Sequence, residues 1–257
     1  MKITTLLASL IFFASFLTSC QKEIDDSIPG TDSNNTSNPF LVKSYTEDTY
    51  LASVPDEHVK DSFKLTYDDK DRLLSLISVD TSDGNRFAYQ YGDGYFIMDL
   101  YVDNQLSIHE TFYLNSYSLV DSTLQYDGDE HDTSTEKYTY NSNKQLLSIK
   151  TYDYTTESGA QLSSTSTLAY DNDGNVVTET EDDATTTYAY PNHTINNLNV
   201  GLNYYPLSKY LPDTFTYTSD FYTDSGTHTY TFDSQNRLTM DKTESASGYI
   251  SIKRYYY

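Results

Sequence analysis

The sequence predicts an all-β protein: an antiparallel up-and-down meander of tyrosine-rich hairpins, curled into an open or closed barrel-like sheet that stays in water. Three observations carry this. A ten-residue pattern recurs as YDDKDRLLSL (Tyr67–Leu76), YNSNKQLLSI (Tyr140–Ile149), YDNDGNVVTE (Tyr170–Glu179) and FDSQNRLTMD (Phe232–Asp241). Tyrosine and threonine, both strand formers, dominate where a helical protein shows Ala and Leu. The apolar spacing of an amphipathic helix is missing over any long stretch.

The chain opens on an address. A single basic residue, Lys2, precedes the apolar run Leu6–Phe16, which is too short to cross a bilayer as a helix and fits a secretory signal. It ends in Leu17-Thr18-Ser19-Cys20, a lipobox, so residues 1–19 read as a lipoprotein signal peptide and Cys20 as the lipidated residue. Buried acyl carbons, at about 0.8 kcal/mol per methylene, tether a chain to a membrane without spanning it. Cys20 is the sole cysteine, which leaves no internal disulfide and no thiol for a zinc cluster or nucleophile.

Residues 20–42 are acidic and rich in Ser, Asn and Thr, and read as a flexible tether. Acids just after the lipidated Cys (Glu23, Asp25, Asp26) resemble the signal that sends lipoproteins of some gut bacteria to the outer cell surface. The expected location is therefore the outer membrane, displayed outward or facing the periplasm. The formal charge is −22, and removing the signal with its one Lys leaves 15 basic against 38 acidic residues, or −23. That balance excludes the basic footprint of a nucleic-acid-binding surface.

Residues 43–257 form one predicted β-meander domain. In each repeat an aromatic residue is followed by Asp or Asn, and an aliphatic residue comes six positions on: Leu73, Leu146, Val176 and Leu238. Asp and Asn bond their own backbone two residues on and tolerate positive φ, so they start turns, while the flanking alternation puts one set of side chains on each face of a strand. The repeats are 73, 30 and 62 residues apart, which a solenoid of equal units would not allow. FAYQYGDGYFIM, LQYDGDE and TTYAYP fill the gaps as weaker relatives. Strands such as STSTLAY and HTYTF lack the continuous apolar band of a membrane barrel.

One stretch breaks the alternation: Asn192–Pro212, NHTINNLNVGLNYYPLSKYLP. It is too long for a hairpin loop, and such insertions are packed plugs or functional loops. Asn203, Tyr204, Tyr205 and Tyr210 are the candidate ligand-binding residues here, since amides pair with sugar hydroxyls and rings stack on pyranose faces. Asp171 and Asp173, with Gly174, are the candidate metal ligands, because calcium loops alternate oxygen ligands and use a Gly. A hairpin turn explains the same residues, and the flanking helices of a calcium loop are missing. Asp127–Asp132, DGDEHD, reads as an acidic loop tip. His109-Glu110 starts a zinc-protease pattern that Tyr113 breaks, and no nucleophile elbow or phosphate loop occurs. No catalytic residue and no cofactor are expected.

The lipobox at Cys20, the Tyr-turn-Leu hairpins, PLSKYLPDTFTYT (Pro206–Thr218) and the closing RYYY together resemble a family of gut-bacterial lipoproteins, a domain of unknown function with a porin-like fold. The YDNDGNV turn also looks like the YD repeats of large bacterial shell proteins. The resemblance implies a barrel-like sheet and carries over no catalytic residue. The expected function is a lipid-anchored binding module for a glycan or peptide. A structural or protein-interaction scaffold is the alternative, with a hydrolase behind both.

Overall fold

A computed structural model describes residues 38–257 except 80–83, 128–132, 156–158, 203 and 205–207. Cys20 and the acidic tip with His131 lie outside the described residues. Among the described residues sixteen strands follow one another: β1 (Ser44–Leu51), β2 (Val59–Tyr67), β3 (Leu73–Ser78), β4 (Arg86–Tyr91), β5 (Tyr95–Val102) and β6 (Gln105–Leu114). Next come β7 (Val120–Asp127), β8 (Thr133–Tyr140), β9 (Leu146–Thr155), β10 (Gly159–Tyr170) and β11 (Val176–Glu181). The last are β12 (Ala184–Ala189), β13 (Thr214–Thr218), β14 (Thr223–Phe232), β15 (Leu238–Ser245) and β16 (Tyr249–Tyr256). Each pairs antiparallel with its neighbours, and β1 pairs with β16, so the meander is a closed barrel. Closure removes the sheet edges that an open meander would expose.

The repeat is a single turn used five times. The side-chain Oδ1 of Asp68, Asn115, Asn141, Asp171 and Asp233 accepts the backbone N–H groups two and four residues on, at 2.9–3.2 Å. The residue three positions on, Asp71, Ser118, Lys144, Gly174 or Asn236, takes positive φ. Asn115 begins the copy that the aromatic pattern passes over: Leu114 stands where the others carry Tyr or Phe, while Asn115 and Val120 keep the remaining pattern.

Each of these turns is accompanied by a shift in register, a bulge that redirects the first residue of the next strand. Those residues, Leu73, Val120, Leu146, Val176 and Leu238, are buried. Their carbonyls, with those of Val42 and Pro212, accept a ring of tyrosine hydroxyls. Tyr67 donates to Val42, Tyr91 to Leu73, Tyr140 to Val120, Tyr170 to Leu146, Tyr190 to Val176, Tyr230 to Pro212 and Tyr257 to Leu238, at 2.5–2.9 Å. Tyrosine is thus specified twice, by the ring that packs and by the hydroxyl that satisfies a buried carbonyl.

The matching amides are met by residues 192–212, which lie across this end of the barrel. Asn192 clasps Asp213 through its backbone and side-chain nitrogens. Between them, Asn199 O accepts Val42 N–H, Gly201 O accepts Leu73 N–H and Tyr204 O accepts Val120 N–H. Ser208 Oγ accepts Val176 N–H and Asn197 Oδ1 accepts Leu238 N–H. Leu202 and Leu211 join the buried core with Val42, Tyr45, Leu65, Leu76, Phe96 and Phe112. The segment is a plug. Leu41 and Val42, which the sequence reading put in the tether, are buried against it.

Candidate functional site in the barrel interior

Register and burial separate the two faces of the wall. Along β14 exposure alternates strictly, with Asp224, Gly226, His228, Tyr230 and Phe232 on the more covered side. The ladder carries this inward face around the barrel. One row runs His228, Thr243, Ser251 and Thr49; the next, nearer the plug, runs Tyr230, Asp241, Lys253 and Glu47. Beyond them the inward residues turn apolar, Tyr255, Tyr45 and Phe63, with Tyr45 stacked on Phe63 at 4.7 Å. The interior therefore grades from a packed aromatic floor at the plug to a polar belt toward the mouth.

The belt is tightly partnered. Lys253 Nζ lies 3.6 Å from Glu47 Oε1, which also accepts Ser251 Oγ–H at 3.3 Å. Burial pulls the Lys253 ammonium below its ordinary range, and Glu47 and Asp241 act against that shift. His228 Nδ1 sits 3.1 Å from Asp241 Oδ1 and 3.2 Å from Thr243 Oγ1. Its ring stacks on Tyr230 and meets Phe215 edge-on, at centroid distances of 5.8 and 5.7 Å. Across the wall, Glu110 is pushed up to about 8 by burial first and by the Glu136 carboxylate second. Glu136 in turn accepts the Tyr138 hydroxyl. Among the described residues no buried side-chain nitrogen or oxygen lacks a partner.

The outward face is different chemistry. Lys60, Lys64, Lys137, Lys150, Lys242 and Arg254 alternate with the inward set, beside threonines such as Thr185, Thr187, Thr214, Thr216, Thr227 and Thr229. A shallow hollow of about 440 Å³ is lined by residues 214–216, 225–227 and 244–246. Most of its lining side chains, Thr214, Thr216, Ser225, Thr227 and Glu244, have outward parity, and Glu244 is tied to Lys242 at 2.9 Å.

The sequence-chosen residues fall outside the polar belt. The Tyr204 ring stacks on Phe96 at 4.6 Å and lies 6.2 Å from Tyr91, within the plug's apolar contact. Tyr210 packs edge-on against His193 at 4.9 Å, under the Lys209 ammonium. Asn203 and Tyr205 lie outside the described residues. Asp171 is used by its turn: Oδ1 takes two backbone N–H groups and Oδ2 takes the Asn175 amide. Asp173 reaches Lys209 at 3.9 Å. Among the described residues no cluster of three His, Cys, Asp or Glu is arranged to hold a metal. Sequence reasoning missed His228, Asp241, Lys253 and Glu47. Alternation in HTYTF marks His228 and Tyr230 as one face, but the partners come from other strands.

No protein-family model and no curated relative matches the sequence. Solved structures do. A porin-like protein from Bacteroides uniformis is 14% identical with a TM-score of 0.61, covering 85% of this chain and 97% of its own. A porin-like protein from Bacteroides vulgatus is 12% identical with a TM-score of 0.57, covering 84% and 98%. At these identities the likeness is one of fold: the chain has the porin-like barrel.

Proposed function

We propose that the protein is a lipid-anchored outer-membrane lipoprotein whose barrel stands in water and holds a glycan in its open half without turning it over. The charged outer face carries this reading. Each Lys or Arg facing lipid at the bilayer midplane costs roughly 2–4 kcal/mol. Lys64, Lys137, Lys150 and Lys242 all occupy strand interiors on that face. The anchor comes from Cys20, and the chain leaves toward it from the plugged end. There Asn38 Nδ2 donates to Asp71 Oδ2 at 3.0 Å and Arg237 Nη1 donates to the Pro39 carbonyl at 2.7 Å. The plugged end then faces the membrane and the mouth faces away.

A glycan is preferred to a peptide because a closed sheet has no edge to which an extended strand can add. A scaffold role through the outer surface is the second reading, supported by Phe221, 90% exposed, beside Tyr222 in the loop between β13 and β14.

The experiment is fractionation followed by a binding screen. The acylated chain sediments with outer membrane, whereas Cys20→Ser is released, runs as a monomer without detergent, and binds at least one glycan of a host and microbial panel saturably without consuming it. Retention of Cys20→Ser in the membrane after a carbonate wash would reject the water-exposed barrel. Consumption of the bound glycan would reject the binding module in favour of a hydrolase.

A further inference from the structure

We propose that the interior beside His228 is a subsite for a single pyranose ring; the inference rests on the glycan-binding reading above. Two observations converge there. The first is an aromatic platform. Phe215 on β13 pairs with Gly226 on β14 on the inward face. A Cβ on Gly226 would come within 2.5 Å of the Phe215 ring and 2.5 Å of the Glu244 carbonyl, so the ring rests against the main chain where any other residue would lift it. Phe215 has inward parity and is only half-buried. An apolar ring face backed by a sheet suits the C–H face of a sugar.

The second is an oriented acceptor. His228 is one step along the same inward face from Gly226, and its side chain is 8% exposed. Asp241 and Thr243 both engage Nδ1. In the neutral ring, a carboxylate on Nδ1 places the proton there and the lone pair on Nε2. Among the described residues no protein group bonds Nε2. Since no buried side-chain nitrogen lacks a partner, that nitrogen meets the interior. With ring centroids 5.7 Å apart, a sugar stacked on Phe215 has a ring-edge hydroxyl within reach of Nε2. Ser245, paired with Gly226 on the inward face, adds a hydroxyl at the mouth side. Carboxylates flank the platform: Asp241 holds His228 on one side, Asp224 on the same inward face accepts Ser247 on the other, and the Lys253–Glu47 pair lies one row beyond. Carboxylates on both sides repel an anionic ligand, so an uncharged sugar is the ligand that fits.

The test uses the acylated chain in a sugar-free detergent, labelled with ¹⁵N at histidine. It is titrated with the methyl glycosides of glucose, galactose, mannose and N-acetylglucosamine. One of the four binds saturably and moves the His228 Nε2 resonance while those of His109 stay in place. Phe215→Leu, which keeps Gly226 covered but removes the ring, weakens binding at least tenfold. Phe215→Tyr retains it, and His228→Gln weakens it about tenfold. Saturable binding with the His228 resonance unmoved overturns the subsite and leaves the glycan reading standing. Failure of all four glycosides to bind overturns the subsite as well, and the glycan reading then falls only if the wider panel also fails.

Discussion

Tyr91→Phe removes one hydroxyl from the tyrosine ring at the plugged end and creates no cavity. The aromatic contact with Phe96 and the Arg72 guanidinium over the ring, 4.2 Å from its centroid, both survive the change. What is lost is the 2.7 Å bond to the carbonyl of Leu73, a residue with no exposed surface. Stripping one partner from a buried polar group costs about 1–3 kcal/mol, more than the net value of an ordinary hydrogen bond. Tyr140→Phe removes the same device one hairpin pair further round, where the Val120 carbonyl is equally buried. Tyr113→Phe is the control, because Tyr113 is 44% exposed and has outward parity. Urea unfolding of the Cys20→Ser background reads all three, with an unchanged slope required for the comparison. Tyr91→Phe and Tyr140→Phe each lower stability by about 1–3 kcal/mol and Tyr113→Phe by under about 0.5. Equal midpoints for all three would refute the argument that the hydroxyls, rather than the rings alone, hold the bulged strand starts.

Gly201→Ala should unfold or loosen the plug. Gly201 has φ +74°, and a Cβ would sit 2.8 Å from the Asp71 carbonyl and 2.8 Å from the Tyr67 ring, so a loss above about 1 kcal/mol is expected in the same assay. A neutral result would mean that the plug contributes nothing to barrel stability. Glu110 gives a pH signature. Its folded value of about 8 lies above its ordinary 4.5, so the native state keeps a proton that the unfolded chain has released. Stability therefore falls as pH rises from about 5 to 8, by at most about 5 kcal/mol, and Glu110→Gln removes that slope. A slope unchanged in Glu110→Gln would assign it elsewhere. The tyrosine ring gives another. Burial pushes Tyr170, Tyr190 and Tyr257 up to about 12, so their stabilisation is whole below pH 10 and is lost between 10 and 12. Tyrosinate absorbance should then rise together with unfolding, and a gradual rise in the folded state would contradict it.

The hairpin turn was legible because its chemistry closes within six residues. Asp68, Asn141, Asp171 and Asp233 need only their own following amides to build it, and the aliphatic residue at the end of the pattern is buried as its position implies. The copy at Leu114–Val120 escaped because the pattern was anchored on an aromatic, although the turn depends on Asn115. The plug was legible as an interruption of the alternation. Its use of asparagine was not: the Asn197 side chain serves the strand-start amide of Leu238, and Asn199 Oδ1 accepts Gly201 N–H within the segment. The Leu238 amide is presented to the plug only once the bulge in its own distant hairpin has formed.

The same division holds for the molecule as a whole. Local alternation and turn chemistry, both properties of neighbouring residues, determined an antiparallel tyrosine-rich meander and left closure open. Tertiary structure decided that β1 meets β16, across about two hundred residues of chain, and with it which face became the interior. It also brought His228, Asp241, Lys253 and Glu47 into adjacent rows, because cross-strand register, not sequence spacing, sets which side chains touch in a sheet.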